Sequence, residues 1–137
     1  MASCVVDYED WQMQCCGTPF KLGDAVEWPV MKATREDHPW IEIVDSIDYY
    51  YETHDSWSAE MLRLRGVVTD IKAIHIQYVP SPDNSRHLVA VSGSGIAVKV
   101  KKADGRDKDR KGMMFRGYVV TLNDFIVEPA GSQDASF

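Results

Sequence analysis

No stretch of this 137-residue chain approaches the eighteen or so uncharged apolar residues that a membrane-spanning helix needs, so no membrane partner is expected. Its first residues, MASCVVDYEDW, have neither the basic segment nor the apolar segment of a secretory leader, and a cytoplasmic location is expected. Cysteine is scarce: there are three, Cys4, Cys15 and Cys16, and an odd, sparse count excludes a scaffold built on disulfides. The adjacent pair is poor disulfide material as well. Neighbouring Cα atoms stand about 3.8 Å apart, short of the roughly 4.4 Å at which ordinary disulfides begin. Free thiols or thiolate ligands are therefore expected.

Several catalytic signatures are missing. There is no GxxxxGK for phosphate, no Gly-x-Ser-x-Gly elbow and no His-Glu-x-x-His. GSGIAV lacks a third glycine and leads into alternating residues, so it reads as a turn and not as a dinucleotide fingerprint. Basic residues are also rare in the first half: residues 1–62 hold thirteen Asp and Glu against three Lys and Arg. The balance reverses at 99–111 (KVKKADGRDKDRK), with seven basic residues against three acidic. Asp104, Asp107 and Asp109 interrupt that run and no aromatic lies within it to stack on a base. A solvated loop is expected there, and nucleic acid is not the expected partner.

What is present is period-two patterning. A chain with 45% hydrophobic and 26% charged residues has the composition of an ordinary globular domain, long enough to bury a core unaided. In DAVEWPV, Val26, Trp28 and Val30 alternate with polar neighbours; Pro29 lacks an N–H and places that strand at an edge or at its end. Ile41 to Glu52 suits a strand through its β-branched and aromatic content, although Ile43, Val44, Ile47 and Tyr51 also fit a helix. GVVTDIKAIHIQYV breaks into two alternating pieces with a bend or bulge near Asp70 to Lys72. Residues 87–91 form a strand; Ile96, Val98 and Val100 share one face of another; MMFRGYVVTL and DFIVEP supply two more.

Roughly seven or eight short strands without a clear helix predict an all-β domain over residues 1–129, with a disordered tail over 130–137. A small closed barrel is preferred, because closure removes exposed strand edges. FKLGDAVEW and LRGVVTDI are similar to the opening strands of SH3-like barrels, and an oligonucleotide-binding type of barrel is the runner-up.

Two residue sets are candidates for a site. Cys15 and Cys16 precede a turn made by Gly17 and Pro19; joined by His54 and His75 from other strands they would complete a tetrahedral zinc site. The plain alternative is that one cysteine packs as a small hydrophobe and that His75, opposite Ile74 and Ile76, is exposed or hydrogen-bonded. The same atoms permit a thiol enzyme, with Cys16 as nucleophile, a histidine beside it and Asp45 or Asp55 orienting the imidazole. The second set is aromatic: Trp11, Tyr49 and Tyr51 with Cys16 would line a ligand groove, although core packing accounts for at least half of the Trp40, Tyr49, Tyr50, Tyr51 and Trp57 cluster. These features favour a non-enzymatic binding or interaction module for a protein or small ligand, with no cofactor expected; the alternative is a zinc-binding or thiol-dependent enzyme.

WQMQCCGTPFKLGDAVEW, AIHIQY and FRGYVV together resemble a family of small bacterial proteins, found mainly in actinobacteria, that share a Trp-Gln-Met-Gln-Cys-Cys-Gly signature. The resemblance spans most of the chain and implies no reaction, since the family has no established activity. Its pattern has two adjacent histidines after an acidic stretch. YETHD places Thr53 and His54 there, so at most one of that pair is present.

Overall fold

Alternation along the chain becomes strands because each can bury one face. The computed structural model describes residues 2–33, 47–53, 61–84, 86–91, 93–110 and 112–129. In chain order these form β1 (Ser3–Glu9), α1 (Asp10–Cys16), β2 (Phe20–Lys21), β3 (Ala25–Lys32), β4 (Tyr49–Tyr51), β5 (Leu62–Ile76), β6 (Tyr78–Pro80), β7 (Leu88–Ala90), β8 (Ile96–Lys99), β9 (Lys102–Ala103) and β10 (Met114–Pro129).

Five of the strands close on themselves. They run in the order β10-β1-β4-β3-β5, and β5 pairs back onto β10 to complete a ring-like sheet. Every pairing in the ring is antiparallel except β1 with β4, where Val6 lies opposite Tyr49 and Asp7 opposite Tyr50 in parallel register. β8 adds to β5 outside the ring, while β2–β9 and β6–β7 are small two-stranded sheets. Inside the ring sit Val6, Tyr8, Val30, Leu64, Val68, Ile71, Tyr118, Val120 and Leu122, each fully or almost fully buried. The all-β expectation holds. Val26, Trp28 and Val30 also face the core together, as their spacing predicts.

The structure corrects the sequence reading at several places. Pro29 is not on an edge strand, since β3 lies between β4 and β5 and runs on to Lys32. The missing N–H is tolerated because β4 pairs only as far back as Val30, opposite Tyr51, so no further β4 residue asks Pro29 for a donor. The two strands expected at MMFRGYVVTL and DFIVEP are one, β10, kept continuous by irregularities at Phe115–Gly117 and Asn123–Ile126. The bulge expected near Asp70 falls at Thr69, skipped between the pairs Leu122–Val68 and Thr121–Asp70. Ile96 and Val98 alternate as expected but on a strand that is largely exposed. Most of the expected strand from Ile41 lies outside the described residues, as does the 130–137 tail; Tyr49–Tyr51 is a strand.

The sharpest backbone constraint is Gly117, at φ +150°, where β10 passes β1. A Cβ there would stand 2.7 Å from the Tyr8 carbonyl oxygen and 2.8 Å from the Glu9 Cα. Gly112, at φ +74°, has open space where its Cβ would be. Gly112→Ala is expected to cost about 1 kcal/mol of left-handed strain, whereas Gly117→Ala should cost at least about 2 kcal/mol more, because backbone must move. Urea denaturation of the two variants measures the difference.

Candidate functional site

The Trp-Gln-Met-Gln-Cys-Cys segment is a helix, which the period-two reading missed. Asp10–Cys16 makes two turns and ends at Gly17, whose N–H donates to the Gln12 and Met13 carbonyls at 3.1 and 3.2 Å. The available signal was the acidic Asp10 at the start and the glycine just past the end.

Each residue of the segment has a definable contact. Gln12 is buried; its amide nitrogen lies 3.3 Å from both the Tyr51 carbonyl and the Glu52 carboxylate, and its amide oxygen accepts the Thr53 hydroxyl at 3.0 Å. Met13 enters the core. Gln14 donates to the Gly105 carbonyl at 2.9 Å. Trp11 turns outward, 44% exposed, and its indole N–H donates to Glu9 at 2.6 Å. Gly17 is glycine because a Cβ would fall on the Tyr8 hydroxyl and within 2.9 Å of the Met13 Cα.

After α1 the chain runs through Gly17, Thr18 and Pro19 into β2, and this loop has a cleft on either side. One, of about 270 Å³, lies between Thr18–Phe20 and the first half of β3; Tyr8, Phe20, Trp28 and Tyr51 line it, with Asp24 and Glu27. Tyr8 and Tyr51 stack with ring centroids 3.9 Å apart, and Trp28 stands nearly perpendicular to both, at 82° and 86°. The Tyr8 hydroxyl is buried beside the Tyr51 hydroxyl and makes no hydrogen bond of ordinary geometry among the described residues. Burial first, and the neighbouring Tyr51 hydroxyl second, push its pKa well above the ordinary phenol range, so it stays a neutral O–H. The other cleft, of about 540 Å³, is lined by Met13, Gln14, Gly17, Pro19, Asp104 and Arg106. Two of its polar groups are engaged: Gln14 holds Gly105, and Asp104 accepts the Arg106 backbone N–H at 2.9 Å.

The run 99–111 keeps its described lysines and arginines exposed, as the solvated-loop expectation has it, while the aspartates that interrupt it tie the backbone down. The Tyr118 hydroxyl, in the core, donates to Asp107 and accepts the Gly105 N–H at 3.0 Å. Asp109 accepts the Phe115 N–H at 2.8 Å, and Ala103 is fully buried. The lysines and arginines stay outside while the acidic side chains anchor the backbone. Spacing alone cannot separate that from a solvated run.

Of the ligand-groove candidates, Tyr51 lines the smaller cleft, Tyr49 packs against the core from β4, and Trp11 is outside both clefts. Cys16 closes α1 at the rim of the loop, with its side chain outside what is described. The metal set is not assembled among the described residues. Cys15 is exposed and disulfide-bonded, so it is no free thiolate, and the count of cysteines carried no sign of that. His54, Asp45 and Asp55 lie outside the described residues. His75 is buried against Phe115 with Nε2 3.1 Å from the Lys108 carbonyl, hydrogen-bonded as the plain reading expected. No group of three or more His, Cys, Asp or Glu placed to hold a metal occurs among the described residues.

Two outcomes are expected. Tyr118→Phe leaves the buried Gly105 N–H and Asp107 without their partner; it should cost about 1–3 kcal/mol and speed tryptic cleavage at Arg106 and Lys108. Urea unfolding and timed proteolysis read both. Burial, and then the Asp48 carboxylate, push the Cys4 thiol up to about 12, so almost no thiolate forms near neutral pH. Iodoacetamide at mildly alkaline pH should leave Cys4 unmodified in the folded protein and modify it in urea, as peptide mass spectrometry will show.

No helix among the described residues is long and apolar enough to cross a membrane. No curated protein and no solved structure matches the chain. The model of one family, described as a family of unknown function (DUF6578), matches residues 2–124, which take in both clefts' lining and the ring up to Asp124 of β10, and the chain belongs to that family.

Proposed function

We propose that the protein is a non-enzymatic binding module that takes its ligand in the smaller cleft beside Gly17–Pro19. The observation that carries this reading is a cleft in which the rings of Phe20, Trp28, Tyr51 and the buried Tyr8, whose hydroxyl makes no hydrogen bond of ordinary geometry among the described residues, meet Asp24 and Glu27. An unpaired buried hydroxyl costs about 1–3 kcal/mol, a cost that a ligand group can recover. Aromatic rings joined by a small number of placed polar groups are the pattern of small-molecule sites, and Asp24 and Glu27 are such groups here. The Cys16 side chain, His54, Asp45 and Asp55 of the thiol-enzyme alternative lie outside what is described. Cys4 is buried and protonated, Cys15 is oxidised, and His75 bonds a backbone carbonyl.

The same reading takes the five-strand ring as a small barrel of the oligonucleotide-binding type in preference to the SH3-like type. Two features support this: the single parallel pairing, β1 with β4, and the helix α1 between β1 and β3. An oligonucleotide-binding barrel has one parallel pair, between its third and fifth strands, and a helix before its fourth. Counted from β5, the strands β5, β10, β1, β3 and β4 meet that order, with the chain ends moved to new positions. The likeness concerns architecture, and the acidic net charge of −6 does not favour a nucleic-acid ligand.

A fragment screen by two-dimensional NMR on the full chain tests the site. Hits are expected to shift residues 18–20, 24–28 and 51 together, without chemical change in the compound. Shifts centred elsewhere, or turnover of a hit, would overturn the reading.

A further inference from the structure

We infer that the smaller cleft selects an organic ammonium group, either a free alkylamine or the side chain of a lysine on a partner protein. This rests on the binding-module reading above and adds the chemical class of the ligand.

Three features of the cleft point the same way. The first is its sign: the carboxyl-bearing residues in the lining are Asp24 and Glu27, and no lysine or arginine is among the lining residues. Glu27 shares its charge with Arg63, 3.2 Å away. Asp24 has no ion pair among the described residues; its carboxylate accepts only the Lys21 backbone N–H, at 3.0 Å, where it closes the turn into β3. An anion entering here meets uncompensated negative charge at Asp24.

The second feature is the lining itself. Ring faces attract cations through their quadrupoles, most strongly Trp, then Tyr and Phe. Trp28 and Tyr51 meet nearly at right angles, so the cleft offers ring surface in two orientations. The third feature is Tyr8. Its oxygen is buried beside the Tyr51 hydroxyl with no hydrogen bond of ordinary geometry among the described residues, and its pKa is raised, so it remains a neutral phenol that accepts from an N–H⁺ donor once a ligand reaches it. An ammonium group has three donors and no acceptor, which matches one phenol oxygen and one carboxylate without leaving a ligand lone pair unsatisfied. At about 270 Å³ the cleft admits a short alkylammonium chain and is below the usual range for drug-sized ligands.

The test is an NMR titration of the full chain with n-butylammonium chloride, set beside 1-butanol and butyrate as the uncharged and anionic counterparts at constant ionic strength. Butylammonium should give saturable shifts at the Trp28 indole N–H and at Asp24, and butyrate none. Asp24→Asn should weaken butylammonium at least about tenfold, the loss expected for a hydrogen bond to a charged group. Tyr8→Phe keeps the ring and removes a hydroxyl that makes no hydrogen bond of ordinary geometry among the described residues, so it should fold normally and still bind butylammonium more weakly. If butanol binds as tightly as butylammonium and Asp24→Asn changes neither, the ammonium preference is wrong while the cleft remains a ligand site. If none of the three shifts the cleft, this inference falls; the fragment screen then decides the binding-module reading separately. The tripeptide Gly-Lys-Gly, blocked at both ends, separates the two sources: tighter binding than butylammonium identifies a protein lysine, equal or weaker binding a free amine.

Discussion

The ring depends on β5, a 15-residue strand that must satisfy three partners at once. One edge pairs with β3 along its first part and with β8 along its last, and the other edge follows β10 nearly end to end. A straight strand of that length would span roughly 50 Å, more than a domain of this size can house. The bulge at Thr69 and the irregularities in β10 let the pair coil, which returns β10 to β1 and closes the sheet. Buried backbone groups need partners, and closure supplies them without leaving long free edges in the ring.

α1 is held by the ring at one end of that curved sheet, and its signature residues have structural roles. Gln12 reaches the backbone and side chains of 51–53, Met13 enters the core, and Gln14 reaches Gly105. Seven residues are too few for a helix to be stable alone, so these contacts and the burial of Met13 keep it formed. The close approach of Gly17 to Tyr8 then sets where the chain leaves the helix, and thereby the loop that both clefts share.

Charge is sorted by the same geometry. Asp107 and Asp109 turn toward Tyr118 and the Phe115 backbone, and the described basic side chains that alternate with them are displayed outward. On the other side of the Gly17–Pro19 loop, Asp24 serves a turn and the mouth of the aromatic cleft together.

Much of the fold was legible in single residues. Val26, Trp28 and Val30 had to share a face because a strand has period two, and Ile74 and Ile76 had to oppose His75 for the same reason. The all-β class, the turn into β3 and the bulge near Asp70 follow from local patterning of that kind. Tyr51 was picked out as a ligand contact from its aromatic neighbourhood, but nothing in the sequence pairs it with Tyr8, more than forty positions away in the chain. Hydrophobic period also hid α1, because a seven-residue helix anchored by glutamines shows little apolar repeat. The amino-acid sequence by itself determined which residues could share a face, since side-chain direction is set by neighbours along the chain. Only the tertiary structure decided which faces meet: the parallel β1–β4 pair, the aspartate anchors of 99–111 and the cleft at Tyr8 depend on contacts between distant segments, which follow from closure of the ring.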